Sequence, residues 1–535
     1  MSELLHELVA GSANRTPERD ALIHNSVKYT FNTLATRIDR FAAAAISMGL
    51  GRQERVGIYL PKQPEAVIAM FGAAAAGAVF VPINPLLKAE QVSYILQDCN
   101  VRILITSAER AASLAPVLPR CHDLRGVVLT GDASEEPWLH RSDVPTVAWN
   151  DLMTSSGGEK ARHRVIDGDM AAILYTSGST GKPKGVVLSH RNMVTGAKSV
   201  ASYLANNRDD RLLAVLPFSF DYGFSQLSTA YTVGAGVVLL DYLLPRDVVR
   251  TVERERITGL AGVPPLWAQL AQLDWPHAVS EHLRYITNSG GAMPGATLQA
   301  LRQKLPRTQP FLMYGLTEAF RSTFLPPAEI DNRPGSMGKA IPNVEIMVVR
   351  EDGSSCAPGE PGELVHRGAL VSLGYWNDPE KTAERFRAAP AQNPALTLPE
   401  IAVWSGDTVR SDEDGYLYFV GRRDDMIKTS GYRVSPTEIE EVVYSTGLVA
   451  EASAIGVPHP VLGQAIILVA KPSAERTRHP RDDAEILDAC KRRLANFMVP
   501  QRIEWRSELP RNPNGKIDRK RLVGEHQDLF QEDGK

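Results

Sequence analysis

The sequence predicts an α/β protein. A large N-terminal domain of two mixed or parallel sheets flanked by helices, with a small β-barrel-like subdomain, precedes a small α+β C-terminal domain. Three observations carry this. Helical and strand patterns alternate over residues 1–165 and again after the glycine-rich stretch near 180, as expected for mostly parallel sheets covered by helices. From about Arg321 the texture changes to short strands between Gly/Pro turns, the signature of a β-rich subdomain over about 321–421. A composition break at Arg422–Asp425 then separates a domain of residues 1–423 from one of 424–535.

In chain order, an amphipathic helix opens at Thr30 and a strand follows at Arg55–Tyr59. Ala66–Ile83 is an 18-residue run without charge, long enough to raise the question of a membrane span. Its Ala/Gly content and Pro82 fit better a helix over Ala66–Ala76 and a buried strand at Ala78–Val81. A helix at Gln91–Leu96 leads to the strand Val101–Ile105, and polar residues from Thr154 to Arg164 read as a linker. Apolar runs at Met170–Tyr175 and Gly185–Ser189 read as strands, Asn192–Ala205 as a helix and Leu212–Leu216 as a strand. Pro217–Gly223 (PFSFDYG) is an aromatic-rich turn with a single carboxylate. A second α/β run occupies Gly236–Leu240, Val248–Arg256, Gly259–Val263 and Leu266–Leu273. It ends in Ile286–Pro294 and Phe311–Glu318, two strand ends turning into loops, where open α/β sheets place ligands. Short strands follow at Val344–Arg350, Gly362–His366 and Gly415–Phe419, with a surface insertion at Ala388–Pro399. The C-terminal domain shows helices at Ser435–Val443 and Asp482–Phe497 around strands at Ala450–Val457 and Ala465–Ala470.

The chain has 535 residues, 43% of them hydrophobic and 23% charged, with a net charge of −3. That balance suits a globular protein with sizeable cores and offers no basic footprint for nucleic acid or an anionic membrane. Cys99, Cys121, Cys356 and Cys490 are far apart, which argues against a disulfide framework or a zinc site and for a reducing cytoplasm. No basic stretch followed by an apolar core marks a signal peptide at the N-terminus.

Thr176–Gly185 (TSGSTGKPKG) holds three glycines, four hydroxyls and two lysines within ten residues. Gly178 and Gly181 allow positive φ, so backbone N–H groups can converge on an anion, and the hydroxyls and lysines add donors and charge. The loop is built for a polyanion, most simply nucleotide phosphates. It is not a Walker loop: two residues separate Gly178 from Gly181-Lys182, Pro183 follows the lysine, and a strand rather than a helix comes next.

With five further motifs in order, this loop resembles the adenylate-forming superfamily of acyl-CoA synthetases, amino-acid adenylation domains and luciferases. The motifs are Tyr314–Glu318 (YGLTE), Gly374–Trp376 (GYW), Trp404–Asp407 (WSGD), Gly421–Asp425 (GRRDD) and Pro513–Lys516 (PNGK). The resemblance runs from about Leu4 to Leu522. It implies that a carboxylate attacks the α-phosphate of ATP, giving an acyl-adenylate and pyrophosphate, and that a thiol of CoA or of a carrier-protein phosphopantetheine then displaces AMP. Thr176, Ser177, Gly178, Ser179, Thr180, Gly181 and Lys184 would cradle the β- and γ-phosphates. Thr317 would hydrogen-bond the α-phosphate, and Glu318 would ligate Mg2+. Tyr314 and Gly315, with the backbone of Gly290, Gly291 and Ala292, would enclose adenine, while Asp407 and Arg422 would hold the ribose. Lys516 would bridge the substrate carboxylate and the α-phosphate. Asp424 would be the hinge on which the C-terminal domain swings as a lid.

The resemblance places the acid beside Phe220, Asp221, Tyr222, Gly223 and Gly315. Many acyl-CoA synthetases carry a histidine in this turn; here stand Phe220 and Asp221. Two readings of Asp221 follow: a turn residue that never meets substrate, or, as in amino-acid adenylation domains, the counter-ion of a substrate ammonium. A buried unpaired carboxylate is costly, so facing the pocket Asp221 would want a cationic partner. Phe218–Gly223 together with Phe320–Pro327 looks closest to bacterial ligases associated with exosortase systems, thought to act with a small carrier protein.

Overall fold

The computed structural model describes residues 3–131, 144–154, 163–176, 183–390, 392–393, 395–422, 425–429, 432–459, 462–473, 479–494, 496–512 and 515–530. Strands within these residues form three sheets.

The seven-stranded sheet has the order Thr146–Ala148, Gly126–Thr130, Val101–Ser107, Arg55–Tyr59, Val79–Pro82, Met170–Thr176, Lys184–Ser189. Its pairs are parallel except the last, an antiparallel hairpin at the edge whose final Cα partners are Thr176 and Lys184. These two residues bound the glycine-rich stretch in the sequence. The charge-free run resolves into the helix Pro64–Ala75 and the strand Val79–Pro82. Every residue of that helix except Glu65 is buried. Its small side chains are needed, because a Cβ on Gly72 would lie 2.5 Å from Cδ1 of Phe41 on the neighbouring helix Phe31–Ser47. The run is therefore a core element, and no helix among the described residues is long and apolar enough to cross a membrane.

The second sheet has fourteen strands and joins two textures. Its parallel part runs Gly236–Leu239, Arg211–Ala214, Gly259–Gly262, Tyr285–Asn288, Gln309–Tyr314. Through the antiparallel strands Thr323–Leu325 and Ser336–Ala340 it continues into Leu417–Arg422, Ile401–Ser411, Gly362–Gly368 and Val344–Val349. The β-rich part is thus an extension of the second sheet by hydrogen bonding. The turn expected at Pro217–Gly223 ends at Phe220, and Asp221–Val233 is a buried helix. Aromatic residues at its start hide its helical period.

A third sheet of five strands belongs to the C-terminal part, built on the long hairpin Val449–His459/Gly463–Pro472. The helices Pro436–Tyr444 and Asp482–Arg493 pack on one of its faces, with a core of their own around Ile439, Val443, Leu468 and Ile486.

Candidate active site

The site lies at the C-terminal ends of the parallel strands of the second sheet. Gln309–Tyr314 ends on Tyr314, and the chain turns through a 3-10 helix at Thr317–Ala319 that displays Thr317 and Glu318. Gly315 sits tightly in this turn: a Cβ there would be 3.3 Å from Cα of Arg321. The Tyr314 hydroxyl donates to Asp407 Oδ2 at 2.5 Å, and Arg422 Nε donates to Asp407 Oδ1 at 3.0 Å. Asp407 and Arg422 are direct partners across the antiparallel strands Ile401–Ser411 and Leu417–Arg422. Burial, then the Asp407 carboxylate, pushes the Tyr314 phenol well above its ordinary value, and Asp407 raises the Arg422 guanidinium. Three residues expected to enclose a nucleoside therefore form one hydrogen-bonded unit.

Glu318 is held from another direction. Tyr375 donates its hydroxyl to Glu318 Oε1 at 2.6 Å, and Lys184 Nζ lies 5.3 Å from the centre of the Tyr375 ring. Burial and then Lys381 lower the Lys184 ammonium, while Glu318 is among the groups that raise it. The Gly374–Trp376 motif clasps the strand that leaves the glycine-rich loop: Val187 N donates to Gly374 O at 2.9 Å and Trp376 N to Gly185 O at 2.7 Å. On the other strand of that hairpin, the Tyr175 hydroxyl donates to Asp98 Oδ2 at 2.6 Å, and Asp98 O accepts from Trp376 Nε1 at 2.9 Å. Ser177, Gly178, Ser179, Thr180 and Gly181, expected to hold phosphate, lie outside the described residues; Thr176 and Lys184 flank them.

Lys516 comes from the C-terminal part. Its turn is tied by Gly515 N donating to Asn512 O at 2.9 Å and by Lys516 N donating to Asn512 Oδ1 at 3.0 Å. Cε of Lys516 and Cζ of Phe220 each lie 3.6 Å from where a Cβ on Gly290 would stand. Gly290 has φ +84°, a backbone conformation that favours glycine. Surrounding protein and then Arg422 push the Lys516 ammonium down, while Asp221, Asp407 and Glu318 push it up. Lys516 and Arg422 keep solvent-accessible surface despite these neighbours, as expected of side chains lining an open cleft. Gly291 and Ala292 are exposed beside it.

The pocket residues divide. Phe220 lies beside Lys516 and Gly290. Tyr222 is buried, its hydroxyl 2.5 Å from Thr287 Oγ1. Gly223 is structural: a Cβ would stand 2.1 Å from the Pro217 carbonyl oxygen. Asp221 has a cation of its own. Arg321 Nη1 donates to Asp221 Oδ2 at 2.8 Å, and Nη2 donates to Ser225 Oγ at 2.7 Å. These two side chains are 5% and 2% exposed, so the pair is internally neutral and desolvated. Asp221 therefore has a cation within the chain, which does not favour the reading in which it awaits a substrate ammonium. Sequence reasoning missed the roles of Arg321 and Tyr375. The only signal for Arg321 is a guanidinium between Phe320 and Ser322, shortly after the YGLTE motif.

The donor set fits a nucleoside triphosphate with Mg2+. Among the described residues no group of three or more His, Cys, Asp or Glu side chains could hold a metal by itself. One carboxylate, Glu318, close enough to Lys184 to act on its charge, would suit Mg2+ with phosphates completing the shell.

Comparison with known proteins gives the family and the fold. Residues 9–376 match the AMP-binding enzyme family and residues 438–516 the AMP-binding enzyme C-terminal domain. The chain is 31% identical to the long-chain-fatty-acid–CoA ligase of Salmonella typhimurium over 556 residues, covering 97% of this chain and 94% of that one. It is 30% identical to a linear gramicidin synthase of Brevibacillus parabrevis, covering 97% of this chain but spanning only 6% of that protein. In structure it resembles the anthranilate CoA ligase AuaEII in complex with anthranoyl-AMP (TM-score 0.87, 26% identity, 98% of each chain). It also resembles the o-succinylbenzoate CoA synthetase of Bacillus subtilis in complex with ATP and magnesium (TM-score 0.80, 26% identity, 96% of this chain and 98% of that one). The chain therefore belongs to the AMP-binding enzyme family, and is an ATP-dependent acid–thiol ligase that forms an acyl-adenylate and transfers its acyl group to a thiol.

Proposed function

We propose that the enzyme activates a carboxylic acid without an α-ammonium group, using Lys516, Thr317 and Glu318 as its catalytic side chains. The observation that carries this is the placement of Lys516, from the C-terminal part, with its Cε 3.6 Å from where a Cβ on Gly290 would stand, beside Phe220, where Asp407, Arg422 and Glu318 act on its charge. Two anions must meet for adenylation, the acid and the α-phosphate, and a fixed ammonium between them lowers the cost of the approach. Thr317, one residue before Glu318, donates its hydroxyl to the α-phosphate. Glu318, oriented by Tyr375, holds Mg2+, which supplies charge neutralisation on the crowded triphosphate when bound. Tyr314, Gly315 and the Gly290–Ala292 backbone enclose adenine, and Asp407 with Arg422 holds the ribose hydroxyls. Thr176, Ser177, Gly178, Ser179, Thr180, Gly181 and Lys184 hold the leaving pyrophosphate.

The acid enters beside Phe220. The neutral Asp221–Arg321 pair supports an acid that brings no ammonium, as do relatives named for fatty and aryl acids. The acceptor is CoA or a carrier-protein phosphopantetheine. The lid comprises residues 424–535 and pivots at Asp424, which lies outside the described residues. Four free cysteines support residence in the reducing cytoplasm. ATP–pyrophosphate exchange over a panel of fatty, aryl and amino acids tests the reading. Exchange is expected with acids lacking an α-ammonium group, and to fall by about 100-fold or more in Lys516→Ala. Undiminished exchange in that variant, or exchange confined to amino acids, would refute it.

A further inference from the structure

We infer that Arg321 is a specificity-determining residue: it fills, from within the chain, the cationic position beside Asp221 and thereby excludes acids carrying an α-ammonium. The inference rests on the reading that the acid binds beside Phe220. Phe220 touches the same point at Gly290 as Lys516, and Asp221 is the next residue and acts electrostatically on Lys516. The pair follows Phe220 directly at Asp221, and Cα of Arg321 lies 3.3 Å from where a Cβ on Gly315 would stand, so on that reading it backs the wall beside the carbon next to the reacting carboxylate.

The pair is a built feature. Arg321 Nη1 bonds Asp221 Oδ2 and the carbonyl of Phe320, and Nη2 bonds Ser225 Oγ. The guanidinium carbon lies 5.0 Å from the centre of the Tyr222 ring and 5.1 Å from that of Phe320. Phe320 is itself fixed, since a Cβ on Gly196 would stand 2.4 Å from its Cδ1. A cation held this way leaves Asp221 no unbalanced charge. A substrate ammonium would be a second cation against a single carboxylate, desolvated without a counter-ion. A neutral acid meets no such cost.

Charge preference should therefore move in opposite directions when either partner is removed. Measured as kcat/KM in ATP–pyrophosphate exchange on the full chain, matched probes are 3-phenylpropanoate with phenylalanine, hexanoate with 2-aminohexanoate, and butanoate with glutarate. Wild type and Arg321→Lys are expected to favour the members without an amino group. Arg321→Met, which leaves Asp221 unpaired, should shift the amino/deamino ratio toward the amino acid by about tenfold or more. Adding Asp221→Asn to Arg321→Met should abolish that shift. Asp221→Asn alone, which leaves the guanidinium unpaired, should raise the glutarate/butanoate ratio instead. Should Arg321→Met fail to fold, as judged by loss of its cooperative unfolding transition, Arg321→Gln and Asp221→Asn carry the test. Unchanged ratios in these variants, or a shift that persists in the double variant, would overturn the role of Arg321. A wild type that itself prefers the amino acids would instead refute the proposed acid class, so the two failures are distinguishable.

Discussion

Lys516 is the residue whose chemistry is most exposed to its neighbours. Crowding by protein and the adjacent Arg422 lower its ammonium from the ordinary lysine value, and the carboxylates of Asp221, Asp407 and Glu318 only partly offset this. The bridging role needs the charged form. A lowered value means that the proton is lost earlier as pH rises, so the alkaline limb of kcat/KM for ATP, which reports the free enzyme, should fall below the ordinary lysine range. Arg422→Gln removes the largest opposing charge and should move that limb to higher pH, while raising the KM for ATP through loss of the Asp407 contact. A limb that moves to lower pH, or stays fixed, would show that Arg422 does not tune Lys516. Much of this site was legible in the sequence, because Lys516, Asp407, Glu318 and Tyr314 each sit in a short motif. The roles of Arg321 and Tyr375 were not, because their meaning lies in contacts with residues 100 and 57 positions away. A guanidinium next to Phe320 gives no sign along the chain of which carboxylate it will meet.

The helix Asp221–Val233 shows at element scale why one residue choice holds a pocket wall in place. Its third residue, Gly223, is pressed against the carbonyl of Pro217, with 2.1 Å left for a Cβ. Backbone cannot yield there as a flexible side chain could, so Gly223→Ala must displace the start of the helix and Asp221 with it. A loss of about 1–3 kcal/mol or more in urea unfolding is expected. The control is Gly295→Ala at the start of the helix Gly295–Lys304, where a Cβ meets nothing within 4 Å. That change should be neutral or stabilise by up to about 1 kcal/mol. Equal effects of the two substitutions would show that the close approach at Pro217 is not maintained. The same helix marks a limit of pattern reading. Asp221–Tyr231 is buried on nearly every side, so no polar face alternates with an apolar one, and its first residues, rich in aromatics, read as a turn. Where one face meets solvent, as in Phe31–Ser47 and Pro436–Tyr444, the helical period is plain.

For the whole molecule, two halves with separate cores contribute to one reaction. Tyr314 and Asp407 stand on the large sheet and Glu318 in the 3-10 turn that follows Tyr314, whereas Lys516 is carried by a part whose own core surrounds Ile439 and Leu468. In this structure Lys516 Cε lies 3.6 Å from where a Cβ on Gly290 would stand, the arrangement its proposed role in adenylation requires. The following step needs a thiol to reach the acyl carbon, and the Lys516 turn fills the side of Gly290 from which Phe220 is also reached. Both steps can occur in one enzyme if the C-terminal part moves between them, and the proposed pivot, Asp424, belongs to the composition break at Arg422–Asp425. Asp424→Pro tests this. Proline fixes φ near −65° and so removes one of the soft dihedrals through which a hinge turns. Pyrophosphate exchange should persist at near the wild-type rate, since the arrangement with Lys516 in the cleft already exists. Thioester formation, followed with CoA or a phosphopantetheinylated carrier, should slow by about tenfold or more. If both rates match wild type, the pivot lies elsewhere. If exchange is lost while acyl-adenylate supplied directly is still converted to thioester, the substitution has fixed the opposite arrangement, which places the pivot at Asp424 equally well.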